Sequence, residues 1–187
     1  MIIIPGPASN SLGESLAKEL GQEPVFIRNR IFPDGESYIQ MPPDLGGETV
    51  ALVQTTAPEP DRKLMQLLFM ARTAKDLGAK RIIAIMPYMA YARQDKRFLE
   101  GEALSFDIVL DLLEAVGVDD SIVVDIHSEE SLEKLKPKHD MRIHNVTAIF
   151  VLAEYMKKNG YDGAYSLSPD LGRKEIVEQV STVMGGG

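Results

Sequence analysis

The sequence predicts an α/β fold, a mostly parallel sheet flanked by helices, with a β-hairpin near residues 24–41. Two patterns carry this expectation. Short apolar, β-branched runs, of which Arg81-Ile-Ile-Ala-Ile-Met86 is the clearest, alternate with longer stretches whose apolar residues recur every three or four positions. One pair of extended runs breaks the alternation, because only Phe32-Pro-Asp-Gly-Glu36 separates them and Pro33 and Gly35 favour a tight turn. The 187 residues, 44% of them hydrophobic, suffice for one well-buried α/β domain and are slightly long for a single one.

Taken in order, Met1–Ile4 reads as a short buried strand that Pro5-Gly-Pro7 turns out of. Ser9 or Asn10 is placed to cap a helix carrying Leu12, Leu16 and Leu20, stopped by Gly21. Pro24–Ile31 and Ser37–Met41 form the hairpin. Thr49–Gln54 is a strand, and a helix from about Pro60 puts Leu64, Leu67, Leu68, Ala71 and Ala74 on one face before Gly78. The strand 81–86 ends at Pro87, which lacks the ladder donor. Leu104–Val116 is an amphipathic helix with Phe106, Val109, Leu110 and Leu113 inward, and Ser121–Ile126 is a strand. Alternation along an extended backbone would set Asp125 and His127 on one face. Glu129–Leu135 reads as a short helix, Met141–Val146 as a weak strand and Thr147–Lys158 as a helix closed by Asn159-Gly160. Ala164–Leu167 is expected to be a last strand, followed by a helix from about Lys174 to Val183 and a frayed Met184-Gly-Gly-Gly end. A first domain is expected over 1–146, with 147–187 beginning a second.

Composition excludes several classes. Without cysteine there is neither disulfide nor thiolate metal site, in keeping with a reducing cytoplasm. Met1-Ile-Ile-Ile-Pro5 lacks the basic flank and length of a signal peptide, and no apolar run approaches membrane-spanning length. A net charge of −8 argues against a general grip on nucleic acid. Neither Gly-x-x-x-x-Gly-Lys-Ser/Thr nor Gly-x-Gly-x-x-Gly occurs, so phosphates would have to be held by another device.

The loop after Met86 offers one. Tyr88, Met89 and Tyr91 precede Arg93, Gln94, Asp95, Lys96 and Arg97, joining a stacking surface to the densest cationic cluster outside the helices. Such a pairing suits a nucleotide, and it also suits a solvated loop whose tyrosines cover a neighbouring helix. His127 and Asp170 each follow a strand end. Their plain roles would be a hydrogen-bonded loop histidine and a helix cap after Ser168-Pro169. Phe32, Asp34 and Glu36 likewise have a plain turn explanation.

Tyr91-Ala-Arg-Gln-Asp-Lys96, followed by Gly101-Glu-Ala103, resembles the ATP loop of the ribose-phosphate pyrophosphokinases. Phe32-Pro-Asp-Gly-Glu36, Asp125-Ile-His127 and Ser168-Pro-Asp170 stand in that family's order and span most of the chain. The resemblance implies a phosphoribosyltransferase-like fold. It implies transfer of the diphosphoryl group of ATP to ribose 5-phosphate, giving phosphoribosyl pyrophosphate and AMP. Phe32, Asp34, Glu36, Arg93, Gln94 and Asp95 would then contact ATP, Lys96 or Arg97 would serve its phosphates catalytically, and His127 and Asp170 would lie at Mg²⁺. It also implies a cytoplasmic homo-oligomer whose hairpin completes a neighbouring subunit's nucleotide site. His139 and His144 match nothing in the family pattern.

Two departures stand out. Leu171-Gly-Arg-Lys174 replaces a double glycine, and the glycine-rich loop that cradles the sugar phosphate is missing, as are the lysine and arginine of the mobile catalytic loop. The expectation is a chain representing the ATP-side domain and the start of the next, inactive by itself. The same departures fit a catalytically inactive homologue that binds nucleotide as a regulatory or scaffolding subunit. A phosphoribosyltransferase would also need the missing loop.

Overall fold

The computed structural model describes residues 1–168 and 174–186, with the side chain of Glu175 left aside. It falls into two compact units, Met1–Asn145 and Val146–Gly187. In the first, a five-stranded sheet has the order β1-β4-β5-β6-β7. Its strands are β1 (Ile2–Pro5), β4 (Thr49–Val53), β5 (Arg81–Met86), β6 (Asp120–Val124) and β7 (Arg142–Val146). The pairs β1–β4, β4–β5 and β5–β6 are parallel, which requires the crossover helices α2 (Pro60–Asp76) and α3 (Ser105–Ala115). The hairpin is β2 (Arg28–Ile31) with β3 (Ser37–Gln40), antiparallel.

Side-chain alternation explains how both sheet faces are covered. Ile4, Val50, Leu52, Ile82, Ala84, Met86 and Val123 join Leu64, Leu67, Met70 and Ala71 of α2 and Phe106, Leu110 and Leu113 of α3 in the main core. The neighbouring positions Ile3, Ala51 and Val53 face α1 (Asn10–Glu19). Each large aliphatic side chain buried this way contributes about 1.5–3 kcal/mol. α4 (Glu129–Leu135) completes the unit, its Ser128 cap accepting a hydrogen bond from Ser131 N–H at 3.2 Å.

Several details depart from the pattern read in the sequence. Only part of the leucine row of α1 meets the sheet: Leu16 packs against the Ile3, Ala51 and Val53 cluster, whereas Leu12 is 45% and Leu20 50% exposed, and Gly13 and Ala17 are buried. Small residues win there because the helix lies close to Pro5; a Cβ on Gly13 would stand 2.6 Å from Pro5 Cγ. Ser9 occupies the cap position of α1, but its hydroxyl accepts from Thr55 N–H at 2.8 Å instead of from the helix. The hairpin strand begins at Arg28, since Pro24 and Val25 run beside Ile3 and Val25 N–H bonds to Ile3 O. In the second unit, α5 (Ile149–Met156) ends in a kinked turn at Lys157–Tyr161 and packs on α6 (Lys174–Met184). Ala164–Leu167 is not a strand: among the described residues no neighbour gives it a ladder, and Leu167 is 88% exposed.

Candidate functional site

Three consecutive parallel strands send their carboxyl-end loops to one edge of the sheet, the edge at which open α/β sheets bind ligands. Among the described residues, Glu59 (φ 61°), Tyr91 (φ 66°) and Asp125 (φ 47°) are the non-glycine residues with positive φ. They lie on the loops after β4, β5 and β6 respectively. Left-handed backbone at a residue with a side chain costs of order 1–3 kcal/mol, and such residues persist where surrounding contacts over-determine the loop.

Those contacts can be named. Thr56 N–H and hydroxyl both donate to Tyr88 O, at 3.1 and 2.8 Å, and Ala90 N–H donates to the same hydroxyl at 2.7 Å. Met89, Ala90 and Ala92 are buried, so Met89 belongs to the core and not to a surface for stacking. Tyr88 remains half exposed, and the Tyr91 hydroxyl hydrogen-bonds the Asp61 carboxylate of α2. Glu102 closes the loop. Its carboxylate accepts from Phe98 N–H (2.7 Å), Leu99 N–H (3.1 Å) and Gln94 Nε2 (3.3 Å), while its carbonyl accepts from Arg97 Nε (2.8 Å). The Phe98 and Leu99 amides hold the Glu102 carboxyl below its ordinary range.

The second half of the loop meets the turn between β6 and α4. Ser131 Oγ donates to Asp95 Oδ2 at 2.5 Å. That bond, then a weaker contribution from Ser128 and the nearby His127, keeps the Asp95 carboxyl below its ordinary range against the opposing effect of burial. Asp95, Lys96 and Arg97 line a cleft of about 400 Å³ with Ser128, Ser131 and Lys134. Arg93, Gln94 and His127 are not on its walls; Arg93 and His127 are exposed, and Gln94 is half-buried and tied to Glu102 and Lys96 O. β6 ends at Val124 and Asp125 turns left-handed, so alternation does not apply through His127. Asp170 lies outside the described residues.

The hairpin is held through buried polar side chains. Gln54, at the end of β4, accepts from Ala8 N–H (3.0 Å) and donates to Gln66 of α2 (3.2 Å), which donates to Ser37 of β3 (3.1 Å). Gly6 leaves room for this chain, since a Cβ there would meet Gln54 Oε1 at 2.3 Å. At the tip, Asp34 has a local partner, accepting from Glu36 N–H at 3.1 Å, and Gly35 supplies φ 94°. Among the described residues no hydrogen bond, ion pair or ring contact joins Phe32, Asp34 or Glu36 to the loop after β5. Sequence reasoning missed Ser131 and Thr56, whose hydroxyls carry no spacing signal. Glu102 was visible only within Gly101-Glu-Ala103.

A sequence profile for the N-terminal domain of ribose phosphate pyrophosphokinase matches residues 1–117. The chain belongs to the ribose-phosphate pyrophosphokinase family. It is 49% identical over 136 residues to the ribose-phosphate pyrophosphokinase of Saccharolobus solfataricus, covering 73% of this chain and 47% of that one. To the Sulfolobus acidocaldarius enzyme of the same name it is 42% identical over 182 residues, covering 92% of this chain and 62% of the relative. The crystal structure of phosphoribosylpyrophosphate synthetase from Mycobacterium smegmatis superposes with a TM-score of 0.85 at 29% identity, over 99% of this chain and 61% of that one. The family member described here thus spans about half to three fifths of the length of these relatives. Among the described residues no helix is long and apolar enough to cross a membrane.

Among the described residues no group of three or more His, Asp or Glu side chains is placed to hold an ion. Hard Mg²⁺ prefers oxygen ligands, retained waters and substrate phosphates over a cage built from protein side chains.

Proposed function

We propose that this chain is the ATP-side part of a ribose-phosphate diphosphokinase acting in nucleotide biosynthesis in the cytoplasm. The observation that carries the reading is the β5–α3 loop. Glu102 and Thr56 fix its backbone, while Arg93, Lys96 and Arg97 stay exposed at the carboxyl edge of the sheet. Diphosphoryl transfer asks a protein mainly for alignment and charge neutralisation, and a rigid cationic loop supplies both. Arg93 and Gln94 hold ATP. Lys96 and Arg97 face its phosphates across the cleft, and the ionised Asp95, steadied by Ser131, fixes their loop against α4. His127 and Asp170 would hold Mg²⁺ together with phosphate oxygens and water; when bound, the ion neutralises charge on the transferring group. Ribose 5-phosphate is the acceptor. Phe32, Asp34 and Glu36 complete the nucleotide site of a neighbouring copy in a homo-oligomer.

Arg93→Ala tests the site. Loss of a charge-assisted contact lowers affinity for Mg²⁺-ATP by about ten- to a hundredfold, or ~1.5–3 kcal/mol. Titration calorimetry measures it, and a folded variant with unchanged affinity would refute the assignment.

A further inference from the structure

The outward face of the hairpin carries an arrangement that the reading above does not use. Arg30 and Tyr38 are directly paired across β2 and β3, and Phe32 stands two residues beyond Arg30 on the same side of the ribbon. The Arg30 guanidinium carbon lies 4.6 Å from the Phe32 ring centre and 4.9 Å from that of Tyr38. The two rings meet edge to face, 6.1 Å apart at 77°. The opposite face is the one that docks: Ile39 packs against the main core and Ser37 receives the Gln66 hydrogen bond. Arg30, Phe32 and Tyr38 are therefore turned away from their own domain, and Arg30 has no carboxylate partner among the described residues.

We infer that Arg30 is a positioning residue for the nucleotide base, acting through Phe32, and that Tyr38 is the second wall of the same platform. This rests on the proposed role of the hairpin. A phenyl ring at an exposed turn samples several rotamers, and any one of them must be fixed before a base can stack on it. The guanidinium supplies that restraint from the side: its planar cation sits on the electron-rich face of Phe32 and is itself held by Tyr38. The preferred ligand is a planar purine ring presented to the face of Phe32 that Arg30 leaves open, and the contribution of Arg30 is confined to the base.

Two probes separate this from a direct contact with phosphate: ATP, and inorganic tripolyphosphate, which has no base. Both are titrated with Mg²⁺ against the full chain by calorimetry. Arg30→Ala is expected to weaken ATP about two- to fivefold and leave tripolyphosphate unchanged. Phe32→Ala weakens ATP on the order of tenfold through lost stacking. Adding Arg30→Ala to Phe32→Ala costs nothing more, and Arg30→Lys falls short of wild type because the planar group is gone. Loss of Arg30 Hδ ring-current shifts in the proton spectrum of folded Phe32→Ala reports the stack without any ligand. Arg30→Ala at wild-type ATP affinity beside a weakened Phe32→Ala overturns the inference alone. So does a parallel loss of tripolyphosphate, or additive losses in the double variant. Phe32→Ala at wild-type affinity overturns the hairpin's role and this inference with it, while a wild-type chain that binds no ATP overturns the proposed function itself.

Discussion

Asp120 opens β6 at 2% exposure and is surrounded by cations from the strands on either side. Arg81 donates to both its oxygens (2.7 and 2.9 Å), Arg142 at 3.0 Å, and His144 Nε2 lies 3.4 Å away. The Arg81 hydrogen bond above all, then Arg142, takes its carboxyl from 3.8 to about 2 in spite of burial. A folded-state value below the unfolded one means stability that is fully present above about pH 4 and is lost as pH falls through about 2. Asp120→Asn is therefore expected to cost about 2 kcal/mol at neutral pH, the arginines being partly solvated, and the gap to wild type should close between pH 4 and 2. Urea midpoints across that range measure it. Nothing in the sequence marked Asp120, because a strand-initial aspartate is ordinary until its neighbours across the sheet are known. Arg93 to Arg97 were legible since their charges crowd into one loop after a strand-ending proline. For Asp125 and His127 the alternation argument does not apply, because β6 ends at Val124 and one left-handed residue cancels a period-two pattern.

At the scale of elements, period and punctuation were enough wherever packing followed apolar spacing, as in α2, α3 and β4 to β6. α1 shows the limit. Its leucines advertise a face of which only Leu16 packs on the sheet, and the closest approach is written in Gly13 and Ala17, which a hydrophobic pattern undervalues. Gly13→Ala should thus destabilise by about 1–2 kcal/mol despite better helix propensity, because the added carbon meets Pro5 Cα at 3.0 Å. Leu12→Ala should change stability by no more than about 0.5 kcal/mol. Thermal melts of the two variants distinguish the faces. Ala164–Leu167 was misread for a related reason: a β-prone segment becomes a strand only beside a partner.

For the molecule as a whole, the order of four short motifs was sufficient to recognise the family, whereas some of the bonds that shape its loops come from residues distant in sequence, such as Asp95 with Ser131. The 187 residues contain no glycine-rich turn for a sugar phosphate. The chain alone is therefore expected to bind Mg²⁺-ATP yet form no AMP or phosphoribosyl pyrophosphate with ribose 5-phosphate, and fusion to a domain bearing that turn should restore synthesis. A coupled AMP assay of both proteins decides this; turnover by the short chain would refute it. The Asp120 cluster joins Arg81, Asp120 and Arg142, the first residues of β5, β6 and β7, whereas every candidate nucleotide contact of this sheet lies at the other ends of its strands. Fastening and recognition are thus a strand's length apart. Substitutions in the 87–104 loop can therefore alter what is gripped there without disturbing the ion pairs that tie β5, β6 and β7 together at their opposite ends.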